Sequence, residues 1–203
     1  MQHSVFVWIL AGASLGLQPG LALAQRPGGG GAPMPAPRPD MNNPNSQPDM
    51  ERSPRVDDRQ FLKDAAMGGL LQVALGKLAV EKGSSDAVKQ FGQKLIDDHT
   101  KVNDELKQAA AAGSVAVPDA LDSKHQSRVD KLAKLSGAEF DKAYLKDQIK
   151  DHQQDIREFQ REAEYGMQPQ VKSLASKILP ILQQHLELAK DLSKGKTTVS
   201  MNK

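Results

Sequence analysis

The sequence predicts an all-α protein: a four-helix bundle with a short extra crossover helix, preceded by an export signal. Apolar residues recur with helical spacing throughout residues 57–193, and proline is almost absent from that stretch. No segment in it alternates apolar and polar residues as a half-buried strand does. The folded part of the chain is therefore expected to be entirely helical.

Start and stop residues divide this region into helices. We expect the first helix to begin at Asp57 or Asp58 and end before Gly83, and the second to begin at residues 84–86 and end at Gly113. Two further long helices are predicted over about 137–165 and 168–193. Each long helix carries an apolar stripe at alternating steps of about four and three residues, which is the seam of left-handed helix packing.

The segment between the second and third long helices is predicted to cross the length of the bundle. Within it, Pro118-Asp119 is expected to open a short helix that ends near Leu135. Ser136 and Glu139 have the spacing of a capping box at the start of the next long helix. Two hairpins joined by such a crossover form a ferritin-like arrangement, and Ile96-x-Asp98-His99 recurring as Ile149-x-Asp151-His152 is typical of a duplicated hairpin.

The two ends of the chain have a different composition. Residues 1–24 resemble a secretory signal, with an apolar run over 5–17 and Ala22-Leu23-Ala24 as a small-x-small cleavage pattern, so cleavage is expected after Ala24. Residues 25–56 hold eight of the 12 prolines and a glycine run, which predicts a disordered tether. Residues 194–203 are expected to form a polar tail, and 57–193 the folded domain.

The composition excludes several classes of protein. Cysteine is absent, which excludes disulfides, thiolate metal sites and a cysteine nucleophile. A net charge of +2 with interspersed signs argues against a nucleic-acid binder, and the mature chain has no apolar stretch long enough to span a membrane. Together with the export signal, this leads us to expect a protein of the periplasm or cell envelope that binds an envelope surface or a protein partner.

Three histidines occupy unexpected positions. His99, His152 and His185 each fall on the apolar seam of a different predicted helix, and Gln72 falls on the seam of the first. All four lie well inside their helices, which places them at a similar height in the bundle. We predict a polar layer of Gln72, His99, His152 and His185 in an otherwise aliphatic core.

Three interpretations of this layer remain open. The histidines could hydrogen-bond to one another, to Gln72 and to buried water, and so fix the helix register. They could instead bind a single transition metal, with Asp155 as a further ligand because it lies three residues after His152. A ferritin-type di-iron centre is disfavoured because the sequence contains no Glu-x-x-His.

The residues also resemble a known family. Matching motifs occur in both halves of the helical region: Gly68-Gly69-Leu70, Phe91-Gly92, Asp98-His99, Asp151-His152 and Leu179-Pro180-x-Leu182-x2-His185-Leu186. Together they are similar to the bacterial family called domain of unknown function 4142. The resemblance implies a ferritin-like domain, export, and a loose association with the outer membrane and stress physiology, without an established activity. Many members have Glu where this chain has Gln72, which further disfavours a carboxylate-based metal centre.

These observations lead to two functional hypotheses. The first is an exported envelope protein that acts, without catalysing a reaction, as a structural, binding or stress-protective module. The alternative is a ferritin-like metal-binding or redox protein that uses the histidine layer. The cofactor is accordingly none or one transition metal.

Overall fold

The computed structural model describes residues 56–196, and within them every regular element is a helix. The helices are α1 (Asp58–Lys82), α2 (Asp86–Ala112), α3 (Ser123–Ala133), α4 (Gly137–Tyr165) and α5 (Pro169–Ser193). The predicted all-α class is confirmed. The predicted signal peptide, the tether up to residue 55 and the end of the tail lie outside the described residues; Val56, the last residue assigned to the tether, is buried.

The four long helices form two hairpins, α1 with α2 and α4 with α5. Asp141 near the start of α4 accepts hydrogen bonds from Ser84 and Ser85 in the α1–α2 turn. At the other end, Asp58 accepts from the backbone N–H groups of Met167 and Gln168 in the α4–α5 turn, at 2.9 and 2.6 Å. Each turn is therefore held by the other hairpin, and α1 runs antiparallel to both α2 and α4.

The crossover helix α3 is shorter than the sequence predicted. It begins at Ser123 rather than near Pro118, because the Asp122 carboxylate accepts from the backbone N–H of His125 at 2.8 Å and so caps it there. The preceding residues are not helical, and Val115 and Val117 pack into the core from this segment.

Two of the three predicted N-terminal caps of the long helices form, and one does not. Asp57 caps α1 and Ser85 caps α2 through their side chains. The expected capping box at Ser136 does not form, since its side chain makes no capping hydrogen bond. Gly137, the first residue of α4, has a φ of +59°, in the left-handed region. The backbone at the start of α4 therefore differs from the conformation in which a capping box forms.

The apolar core is divided into two clusters. One contains Phe91, Phe140 and Tyr144, and the other Phe61 and Phe159. Eight buried polar or charged residues come from the four long helices: Asp58, Gln72, His99, Asn103, Gln148, His152, Glu162 and His185. All but Asp58 and Glu162, which lie near helix ends, belong to the middle of their helices. The bundle therefore brings a polar layer together inside an aliphatic interior.

The paired glycines of α1 have different surroundings. A Cβ on Gly69 would lie 1.8 Å from the side-chain Oδ1 of Asn103, so this glycine allows α1 and α2 to approach closely. A Cβ on Gly68 would meet no atom within 4 Å. A side chain at position 69 would thus have to displace that of Asn103, whereas position 68 faces open space.

Among residues 56–196, none of the helices is both long and apolar enough to cross a membrane.

Candidate metal centre

Three histidine side chains converge in the core, one each from α2, α4 and α5. His99, His152 and His185 are 3 %, 0 % and 0 % exposed, and each places one ring nitrogen within 4.8 Å of the other two. They meet because each occupies the seam position of its own helix at the same height in the bundle. The arrangement is a compact set of three imidazoles shielded from solvent.

The hydrogen-bond partners of two histidines assign their tautomers. The Nδ1 of His152 lies 3.0 Å from the backbone carbonyl oxygen of Gln148, which can only accept, so Nδ1 carries the hydrogen. The Nε2 of His185 lies 2.8 Å from a carboxylate oxygen of Asp98, which also accepts when ionised. The hydrogen bond from His185 lowers the pKa of Asp98, which keeps that carboxylate ionised.

The remaining nitrogens of these two histidines face each other. The Nε2 of His152 and the Nδ1 of His185 are 3.3 Å apart. In the assigned neutral tautomers both atoms present a lone pair, so neither has a proton to donate to the other. A contact of two acceptors is favourable only when a proton or another cation lies between them.

His99 completes the group without any hydrogen bond of its own. Neither of its ring nitrogens has a partner among the described residues, although the ring is buried. Its ring centroid lies 5.9 Å from that of His152 and 5.3 Å from that of His185. An imidazole with both nitrogens unpaired in a core is costly, and a ligand at the centre of the group would remove that cost.

Burial keeps the three imidazoles neutral at pH 7. It lowers the pKa of His152 to about 4, with the neighbouring His185 adding to the effect. Burial also lowers the pKa of His99, and it lowers that of His185 despite the opposing effect of Asp98. Neutral imidazole is the form that binds a metal.

The spacing of the facing nitrogens suits a tetrahedral ion. Two imidazole nitrogens bound to one tetrahedral zinc ion at 2.0–2.1 Å lie about 3.3–3.4 Å apart. The distance between the His152 and His185 nitrogens, 3.3 Å, falls at this value. His99 completes the set, with one ring nitrogen within 4.8 Å of a nitrogen of each of the other two histidines.

Gln72, predicted in the same layer, is fully buried but bonds to a different group. Its side-chain amide donates to Asp151, whose other carboxylate oxygen accepts from Arg128 of α3 at 2.6 Å. Arg128 also forms a bidentate pair with Asp147. Gln72 thus links α1 to a charged network that fastens α3 to α4.

Asp155, the predicted carboxylate ligand, lies on the same side of the site as His99. It is partly buried, and both residues line one small internal cavity. Burial raises the pKa of Asp155 well above its ordinary value, and the carboxylates of Asp151 and Glu158 add to that effect. The other histidine of the described residues, His125 of α3, lies outside the cluster: it is partly buried and bonds to Asp122, which caps that helix.

Two residues of the site were not identified from the sequence. Asp98 holds His185, and Asp151 joins Gln72 to Arg128. Each directly precedes a seam histidine, and the repeated Asp-His pair was the signal available. Which partner each carboxylate reaches depends on the packing of another helix.

Comparison with known proteins gives a family and a fold. The family model described as Domain of unknown function (DUF4142) matches residues 42–192. No curated protein sequence shows a significant match.

Two solved structures are similar to this chain. One is a DUF305 fragment from Deinococcus radiodurans, with a TM-score of 0.61 and 12 % identity, covering 70 % of this chain and 99 % of its own. The other is a DUF305 protein from Streptomyces coelicolor, described as a candidate secreted protein, with a TM-score of 0.59 and 12 % identity, covering 72 % of this chain and 97 % of its own. At this level of identity the likeness concerns the fold.

Proposed function

The chain belongs to the DUF4142 family, a domain of unknown function, and from the geometry of its core we propose that it binds one divalent transition-metal ion. His99, His152 and His185 are the protein ligands in this proposal. The reference ion is zinc, because three imidazoles with an open fourth position form a familiar zinc ligand set.

One observation carries the proposal: the lone pairs of His152 and His185 face each other at 3.3 Å. The partners on the far side of each ring, Gln148 and Asp98, leave no proton for this contact. A metal ion between the two nitrogens would turn an unfavourable contact of acceptors into two coordinate bonds. His99, whose nitrogens are unpaired, would supply the third bond.

The surrounding residues would orient the ligands. Metal-bound histidines commonly donate their other N–H to a carboxylate or a backbone carbonyl, which fixes the ring and raises its basicity. Asp98 and the Gln148 carbonyl stand in those positions toward His185 and His152. An all-imidazole set favours zinc, copper, nickel or cobalt over magnesium, calcium or manganese, which prefer oxygen ligands.

We further propose that this binding takes place outside the cytoplasm. The secretory pattern predicted over residues 1–24 supports export, as does the description of the Streptomyces coelicolor neighbour as a candidate secreted protein. A non-catalytic bundle that holds a metal ion in the cell envelope would serve as a binding and stress-protective module.

Metal content and affinity test the proposal. Metal-free mature protein would be titrated with Zn²⁺, Co²⁺ and Cu²⁺ by calorimetry, followed by elemental analysis after gel filtration. We expect about one ion per chain, and a visible Co²⁺ spectrum typical of tetrahedral coordination. His152→Gln and His185→Gln should abolish tight binding, and His99→Gln should weaken it.

His125→Gln is the matched control, because this histidine bonds to Asp122 on α3 and lies outside the cluster. Binding that survives in all three core variants would contradict the proposal. If the wild-type protein retains none of the three ions, the histidines act structurally, and the hydrogen bond between His185 and Asp98 joins α5 to α2.

A further inference from the structure

A surface groove lies between α1, α3 and α4. It has a volume of about 560 Å³ and is lined by residues of α1, α3 and α4. A second cavity of about 20 Å³ lies against the core and shares four lining residues with the groove: Asp64, Gly68, Asp155 and Glu158. The two spaces therefore adjoin at the position of these residues.

The inner cavity reaches the histidine cluster through His99. That side chain forms part of its wall, is 97 % buried (3 % exposed), and has no hydrogen-bond partner on either ring nitrogen among the described residues. Neither His152 nor His185 lines this cavity. The most weakly held of the three imidazoles is thus the one that faces the space leading outward.

The charged residues lining the inner cavity are all acidic. They are Asp64 of α1 with Asp155 and Glu158 of α4. The basic residues of this region line only the groove: Lys124, His125, Arg128 and Lys150. Among these, Arg128 is already paired with Asp147 and Asp151, at 2.7 and 2.6 Å.

Size and backbone shape agree with passage of a small ion. A volume of about 20 Å³ is enough for about one water molecule, so the cavity admits a water molecule or a monatomic ion and excludes an organic ligand. Gly68 stands where the two spaces adjoin, and a Cβ there would meet nothing within 4 Å. A helix-interior glycine costs about 1 kcal/mol relative to alanine. A glycine here leaves the junction of the two spaces free of any side chain.

We propose that Asp64, Asp155 and Glu158 form an outer cation site, and that metal ions pass from it over Gly68 to His99. This inference rests on the proposed metal site and adds its route of access. The exposed carboxylates of Asp64 and Glu158 attract the hydrated ion from the groove, and the three side chains together replace part of its water shell. His99, whose ring nitrogens have no hydrogen-bond partner among the described residues, then receives the ion and joins His152 and His185 in binding it.

Binding kinetics test the route. Zn²⁺ uptake and release would be followed by stopped flow, with a chromophoric chelator as competitor. Gly68→Leu fills the opening and should slow both association and dissociation at least tenfold, while the stoichiometry and the equilibrium constant stay within about threefold. Val80→Leu is the matched control, since it adds a leucine to an exposed site on the same helix.

Removing acidic groups at the proposed outer site tests the route independently, through the association rate of Zn²⁺. The double change Asp155→Asn with Glu158→Gln should lower the association rate and weaken its dependence on ionic strength, because fewer acidic groups attract the ion. Glu187→Gln removes an exposed carboxylate of α5 far from the groove lining and should change neither. Circular dichroism melting curves check that every variant is folded.

The outcomes separate the route from the site. If Gly68→Leu and the double variant bind zinc with the rates of their controls, the route is wrong and the histidine site stands. If the wild-type protein takes up no metal at equilibrium, the site and the route are both wrong.

Discussion

The state of individual side chains decides what the core can bind. Three neutral imidazoles converge on one site, and among residues 56–196 the carboxylate that hydrogen-bonds to them is Asp98, which holds the far side of His185. A single carboxylate thus determines which nitrogen of His185 faces inward. The sequence indicated the histidines by their seam positions, but it could not indicate their tautomers, which depend on partners from other helices.

Replacing Asp98 tests this orienting role. Asp98→Asn removes the anionic acceptor of the His185 N–H, and we expect metal affinity to fall about 10–100-fold, as is common when such a partner is lost. A competition titration with Zn²⁺ measures the change. Asp97→Asn, at the exposed neighbouring position, should leave the affinity unchanged; equal losses in both variants would indicate a general charge effect.

Glu162 gives a second prediction at the residue scale. Its side chain is fully buried, and burial together with the nearby Asp58 carboxylate raises its pKa to about 7. The folded state therefore holds a proton that the unfolded chain releases at lower pH, so this group's contribution to stability is lost as the pH rises from about 4.5 through 7.

Glu162→Gln should remove that dependence. We expect the variant to gain roughly 1–2 kcal/mol relative to wild type at pH 8, and much less at pH 5, because the amide stays neutral throughout. Urea unfolding at the two pH values measures the difference. The exposed Glu164→Gln serves as control, and a Glu162→Gln effect that is the same at both pH values would show that ionisation is not its cause.

At the scale of the elements, local signals predicted the long helices well. Asp57, Ser85, Gly83 and Gly113 mark helix ends where the sequence places them, because caps act over only a few residues. The start of α3 was wrong, since Val115 and Val117 pack against the core in a non-helical segment. Capping signals carry no information about such tertiary burial.

The two serine caps should differ in their contribution to stability. The Ser85 hydroxyl accepts from the backbone N–H of Val88 at 3.2 Å, whereas Ser136 makes no such bond. Ser85→Ala should cost about 1 kcal/mol of unfolding free energy, and Ser136→Ala should cost less than about 0.5 kcal/mol. Denaturant unfolding of both variants checks this, and equal costs would mean that the Ser136 capping box forms in solution.

At the scale of the whole molecule, the bundle combines two apolar clusters with a polar layer. The two apolar clusters hold the four long helices together. The sequence already indicated a duplicated hairpin, because a similar motif recurs in the second and fourth helices. The height of the histidines in the bundle could be predicted by counting residues from the helix ends. The network of Gln72, Asp151 and Arg128, and the cavity that reaches His99, depend on how α1, α3 and α4 pack together, so the sequence alone could not reveal them.

The central claim, that the three core histidines share one metal ion, is tested most directly by crystals grown with zinc. Anomalous diffraction at the zinc edge locates the ion without reference to any assumed site. We predict a strong peak about 2.0–2.1 Å from the Nε2 of His152, the Nδ1 of His185 and one ring nitrogen of His99. Zinc bound only to surface carboxylates, or a core without a peak at saturating zinc, would contradict the claim.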